Sequence, residues 1–100
     1  TTAKRSLQMP ELPTVAEAGL PGYEAAGWFG YAAPARTPRD IIGKLNTEIV
    51  RILKLPDVRE RLIAQGAEPV GDSPEEFAKF IQSEAAKWGK VIRALNLKIE

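Results

Sequence analysis

Carboxylates and hydroxyls are the first side chains of this sequence to weigh for acid–base or covalent chemistry, because it contains no histidine and no cysteine. That absence removes thiol nucleophiles, Ser-His and Cys-His pairings, and structural zinc sites of the usual kind. Ser6, Ser73 and Ser83 therefore have no base to activate them. Glu75, Glu76 and Glu84 fall on a helical pattern, where a carboxylate caps a helix or faces water. Asp57 and Asp72 stand at helix starts, where capping explains them. The glycines are scattered singly, without the spacing of a loop that cradles phosphate. Catalysis, a bound metal and a cofactor are not expected.

Binding leaves a different mark. The run Gly27-Trp-Phe-Gly30 sets two rings between glycines, and Tyr31 adds a third just after. Two readings stand: the rings are core, or the segment lies at a hinge or cleft with one ring facing a ligand. Gly27, Trp28, Phe29 and Gly30 are thus the candidate ligand-binding positions. The expected helix starts at Val15, Pro38 and Pro74 offer free amides that could hold a carboxylate, with Arg36 and Arg39 beside the second.

These residues need elements to position them. Residues 1–12 read as an extended connector, with Thr1 to Ala3 as the possible end of a strand. Thr14 and Glu17 form a capping box, in which each side chain satisfies the other's backbone amide. Gly19 and Pro21 then end the helical turn 15–18, and Leu20 to Tyr23 suits a type II turn with Gly22 at its third position. Residues 28–33 are short and rich in β-formers, which predicts a strand covered on both faces.

Thr37 as N-cap and Pro38 at the first position predict a helix over 38–55. Ile41, Ile42, Leu45, Ile49, Ile52 and Leu53 form its apolar stripe. A shorter helix is expected over 57–65, closed by Gly66, and an edge strand over 67–70, where Pro69 cannot donate to a ladder. Ser73 and Glu76 make a second capping box. It opens a helix over 74–95 that carries Phe77, Phe80, Ile81, Trp88, Val91, Ile92 and Leu95 on one side.

The 14 basic and 13 acidic residues give a formal charge of +1. Their signs interleave, so no basic face is built for nucleic acid or anionic lipid. No apolar run approaches the ~18 residues of a membrane span. Thr1 to Ser6 lacks the apolar centre of a signal peptide, so the signal of an exported protein would lie upstream of residue 1.

The order of blocks resembles the C-terminal part of the periplasmic solute receptors of tripartite tricarboxylate transporters, the Bug family. Those blocks are Thr1 to Ser6, Pro10 to Tyr23, Gly27-Trp-Phe-Gly30, Ala33 to Pro38, Lys44 to Asn46, Pro56 to Leu62, Gln65 to Gly71, Ser73 to Phe77 and Trp88 to Ile92. Arg36 departs from it, standing where the family usually has glycine. The resemblance implies an α/β, helix-rich chain: the end of a type II periplasmic-binding-protein-like fold, with one or two short strands and two long amphipathic helices. Residues 1–27 would end the second lobe, and 28–100 would cross over and pack on the first. It further implies a truncated receptor for a small organic acid or amino acid, delivering to a membrane permease and not ligand-competent alone. An independent helical protein-interaction module is the alternative reading. With so much apolar stripe and one good strand, the fragment is expected to self-associate, most simply as a twofold dimer.

Overall fold

Ser73 opens the longest helix as its chemistry requires. Its hydroxyl accepts from the Glu76 amide at 3.1 Å, and the Glu76 carboxylate accepts from the Ser73 amide at 3.2 Å. Two amides that a helix start would leave orphaned are thereby satisfied. Pro74 follows where a missing N–H costs nothing. In the computed structural model, which describes residues 1–98, three helices form: α1 (Arg39–Leu53), α2 (Pro56–Ala64) and α3 (Pro74–Ala94).

The chain stops are as local as the starts. After α2, the Gly66 amide donates to Ile63 O and the Ala67 amide to Leu62 O, both at 2.9 Å, with Gly66 at φ 81°. This is the Schellman arrangement, which needs a left-handed residue after the last helical one. Asn96, at φ 51°, plays the same part after α3.

Thr37 does not cap α1. Pro38 holds the N-cap position in an extended conformation with no side-chain cap, and α1 begins one residue later than expected. The Thr37 amide instead closes a turn onto Pro34 O at 3.0 Å, which sets the chain direction before the helix starts. Pro56 both stops α1 and starts α2, in whose first turn Asp57 sits without capping it. Asp72 likewise caps nothing; its carbonyl accepts from Asn46 Nδ2 at 2.9 Å.

Neither expected strand forms among the described residues; 28–33 and 67–70 have no ladder. A ladder needs a second backbone, and residues 28–33 and 68–70 make no backbone hydrogen bonds among the described residues. Residues 28–31 nonetheless alternate as extended chain does. Trp28 and Gly30 lie on α3, whereas Phe29 is 96% exposed and Tyr31 84%. The expected cover on both faces is therefore present on one, and Phe29 and Tyr31 are not core rings here.

α1 touches both α2 and α3. Ile42, Ile49, Val50 and Leu53 of α1 are half-buried, as are Val58, Leu62 and Ile63 of α2 and Phe77 and Phe80 of α3. No apolar residue among those described is fully buried, and parts of both long stripes, such as Leu45, Ile92 and Leu95, stay exposed. The chain presents 8726 Å² to solvent. A closed chain of 10.9 kDa would present about 5,600 Å². Its radius of gyration, 16.4 Å, likewise exceeds the ~13 Å of a closed 100-residue domain. No helix among the described residues is long and apolar enough to cross a membrane.

Candidate functional site

The first two turns of α3 form the platform on which the aromatic segment rests. Phe77 and Phe80, one turn apart, lie nearly parallel with ring centroids 6.4 Å apart. Trp28 meets both edge-on, at 5.6 Å from Phe77 and 5.4 Å from Phe80. Edge-to-face contacts let the positive rim of one ring meet the negative face of another. Gly30 comes down on the same platform so closely that a Cβ there would lie 2.3 Å from Phe77 Cζ. Its glycine is required by the ring of another element. Gly27 is different, since a Cβ there would meet open space.

Two further ties hold the approach to this segment. Thr1 and Ala25 exchange both backbone hydrogen bonds, the Ala25 amide reaching Thr1 O at 2.8 Å and the Thr1 nitrogen reaching Ala25 O. The bonds are reciprocal as in an antiparallel rung, though no ladder extends from them among the described residues. Lys87 of α3 donates to Glu24 O at 2.8 Å. Its ammonium also stands 3.5 Å from Glu84 and 5.4 Å from the Trp88 ring centre. Glu84 accepts from Trp88 Nε1 at 2.7 Å, so this carboxylate is engaged rather than simply solvated. The bond of Lys87 to Glu24 O was not foreseen; Glu84, Lys87 and Trp88 at steps of three and four signal only the local cluster.

Upstream, the predicted turn is complete. The Glu17 amide donates to Thr14 Oγ1 at 3.1 Å, while the Thr14 amide reaches Glu17 Oε1 at 3.4 Å. Gly19, at φ 138°, and Leu20 bond back to Ala16 and Val15. Gly22, at φ 82°, completes the type II turn, closed by the Tyr23 amide on Leu20 O at 3.0 Å. Thr14 is the one buried residue among those described. Arg5 grips the Glu17 carboxylate at 2.7 and 3.1 Å, and that grip holds Glu17 down at about 2, helped by the Thr14 amide against partial desolvation.

The structure brings Trp28 and Gly30 together on α3, leaves Phe29 outside, and leaves open space where a Cβ at Gly27 would lie. It does not gather them around an enclosed cavity. A depression beside Ser6, Leu7 and Gly66 holds about 10 Å³, room for one water-sized sphere. Another, along Asn46, Val50, Gly71 and Glu76, lies open to solvent. Of the helix starts considered for a carboxylate, the two beginning at Thr14 and Ser73 spend amides on their own caps. The start of α1 lacks a side-chain cap, with Arg36 and Arg39 exposed beside it. No group of three His, Cys, Asp or Glu among the described residues could hold a metal ion.

Residues 1–97 match the sequence model of the tripartite tricarboxylate transporter family receptor. A protein encoded in the tcbD-tcbE intergenic region of Pseudomonas sp. (strain P51) is 44% identical over 93 residues, which are 92% of this chain and 28% of that protein. Protein BugT of Bordetella pertussis (strain Tohama I) is 37% identical over 99 residues, 99% of this chain and 30% of BugT. Among solved structures, R. palustris Rpa4515 with adipate is 44% identical and superposes with a TM-score of 0.77, covering 93% of this chain and 31% of that one. The chain thus spans under a third of the length of these relatives.

Proposed function

Because this chain belongs to the tripartite tricarboxylate transporter family of receptors, we propose that it is part of a receptor that binds a small carboxylated metabolite and hands it to a membrane permease. The family is one of periplasmic transport receptors and not of enzymes. The observation that carries the reading is the likeness, at 44% identity and a TM-score of 0.77, to a receptor solved with adipate. Adipate is a linear dicarboxylate, and a dicarboxylate or a related organic or amino acid is the solute class inferred for the whole protein. Its place of action is the periplasm.

Such a receptor has the type II periplasmic-binding-protein architecture, two lobes closing on the solute. Residues 1–27 end the second lobe, and 28–100 cross back and pack on the first. Gly27, Trp28, Phe29 and Gly30 lie at that crossing as hinge and cleft wall. Trp28 anchors the segment on α3, and Gly30 allows the close approach to Phe77.

The chain alone does not hold the solute, since a site for a small molecule takes an enclosed volume of about 300 Å³ or more. The alternative of an independent helical interaction module has less support, because an independent domain closes a core and no apolar residue described here is fully buried. Calorimetry with adipate tests the reading. The 100 residues alone are expected to give no heat at ligand concentrations up to about 1 mM, equivalent to a binding free energy weaker than about −4 kcal/mol. The same chain within a full-length receptor is expected to bind. Tight binding of adipate by the 100 residues alone would sink the division of labour proposed here.

A further inference from the structure

We propose that Lys87, held in place by Glu84 and Trp88, is a positioning residue that latches the entry of the aromatic segment, so that the lobes pivot at Ala26 and Gly27. The inference rests on the receptor reading and adds to it a latch and a point of rotation.

Phe77, Phe80, Glu84 and Lys87 follow one another at steps of three, four and three, so they share one face of α3. The segment runs along this face against the direction of the helix. Gly30 meets Phe77, Trp28 meets Phe77 and Phe80, and Glu24 O accepts from Lys87 Nζ at 2.8 Å. It is therefore pinned twice, by rings at 28–30 and by an ammonium at 24.

A lysine alone would be a poor pin, because its long stem has rotamer freedom to lose. Here its neighbours hold it. The Glu84 side chain is only 14% exposed, and its carboxylate accepts from Trp88 Nε1 at 2.7 Å. A carboxylate so covered draws a cation, and the Lys87 ammonium stands 3.5 Å away. The Trp88 ring, 5.4 Å from the same ammonium, offers it a negative face. Between these two the ammonium donates to Glu24 O, a charge-assisted bond of the stronger kind.

Between the pins the chain is bare. Among the described residues, neither the Ala26 nor the Gly27 amide makes a hydrogen bond, and a Cβ on Gly27 would meet open space. Gly27 is not among the glycines at positive φ. Neither crowding nor a left-handed backbone requires glycine there, which leaves freedom to turn as its use.

Backbone relaxation by NMR tests the latch in the 100 residues, unaltered and as Lys87→Met, Lys87→Arg and Glu84→Gln. In the unaltered chain the order parameters of Glu24 and Trp28 should lie near the ~0.85 of rigid backbone, with a dip at Ala26 and Gly27. Lys87→Met keeps the stem and removes the donor, so Glu24 is expected to fall below about 0.6 while Trp28 and Gly30 stay. Lys87→Arg restores a donor and should recover most of the order. Glu84→Gln leaves Trp88 an acceptor, removes the charge behind the ammonium, and should fall between. No change at Glu24 in Lys87→Met, equal loosening at Trp28 and Gly30, or a loss that Lys87→Arg does not reverse would each overturn the proposal.

A chimera in which this chain replaces the matching third of the R. palustris receptor tests the pivot, with spin labels on the two lobes. Lys87→Met is expected to broaden the distance distribution without solute, while the melting temperature stays within about 2 °C. It should also weaken adipate binding by about three- to tenfold, since apparent affinity falls with the fraction of molecules poised to close. A chimera that does not fold, a larger drop in melting temperature, or an unbroadened distribution would sink the pivot. Calorimetry separates the two claims: broadening in a chimera that never binds adipate would keep the latch and sink the solute class. Adipate binding of equal strength with and without Lys87 would do the reverse.

Discussion

Residues 14–23 and 24–33 are neighbours of equal length, both built from glycine, aromatic and small residues, yet they meet their backbone demands differently. The first closes on itself: Thr14, Glu17, Gly19, Leu20 and Tyr23 all find partners within that stretch. The second has one reciprocal pair of backbone bonds at Ala25, one ammonium on Glu24 O, and a ring seated on α3. Everything that holds it comes from elsewhere in the chain, and the amides of 27–31 find no backbone acceptor among the described residues. A turn is local chemistry, whereas a strand is half of an interaction.

The largest expected effect breaks the outside support of the second stretch. Trp28→Ala removes two edge-to-face contacts and the cover over Phe77 and Phe80. Because Trp28 is 43% exposed, the cost should fall below the usual range for a buried aromatic, at about 2–3 kcal/mol. Urea titration followed by circular dichroism measures it. A change under about 0.5 kcal/mol would show that the platform does not hold the segment.

Gly30→Ala should come next. The added methyl meets the Phe77 ring, and a forced shift of this kind costs about 1–3 kcal/mol. Gly27→Ala is the control, with no contact to strain and an expected change within about 0.5 kcal/mol. Equal effects at the two glycines would contradict the seating of Gly30 on α3.

The first stretch should yield smaller, local effects. Thr14→Ala removes the hydroxyl that caps the Glu17 amide, at about 1 kcal/mol. Its signature is faster exchange at Glu17 with no change in the near-ultraviolet signal of Trp28. If that signal moved as well, the two stretches would be coupled and the contrast between them wrong.

The smallest effect is electrostatic. Arg5 lowers Glu17 from its ordinary 4.5 to about 2. A carboxyl whose folded value lies below its unfolded one stabilises the fold fully above the unfolded value. That contribution fades as pH falls from about 4.5 through about 2. The pair is exposed, so the gain is small and salt weakens it. Carboxyl titration by NMR should find Glu17 well below 4.5, and Arg5→Gln should return it toward that value. No movement in that variant would remove Arg5 as the cause.

The same contrast marks what could be read from the sequence. Both capping boxes, the stops at Gly19 and Gly66, the turn at Gly22 and all three helices were legible, because each depends on residues within a few positions. Thr37 was misread as a cap because Pro38 takes the N-cap position and no side chain caps α1. The strands at 28–33 and 67–70 were misread because β-forming composition says nothing about whether a second backbone lies alongside. The apolar stripes were legible too, but not which parts would be covered: Ile42 and Leu53 are half-buried while Leu45 stays exposed. At the candidate site, the glycines and Trp28 stood out from composition. Lys87, 63 residues from the carbonyl it binds, could not.

Amide exchange of the 100 residues alone most directly tests whether 24–33 is an open edge beside a closed turn. Ala18, Gly19 and Leu20 should exchange slowly, held by bonds to Thr14, Ala16 and Val15, while Phe29 and Tyr31 exchange as in an unstructured peptide. Slow exchange at Phe29 and Tyr31 in the chain by itself would mean that the edge is already paired, and would contradict the account.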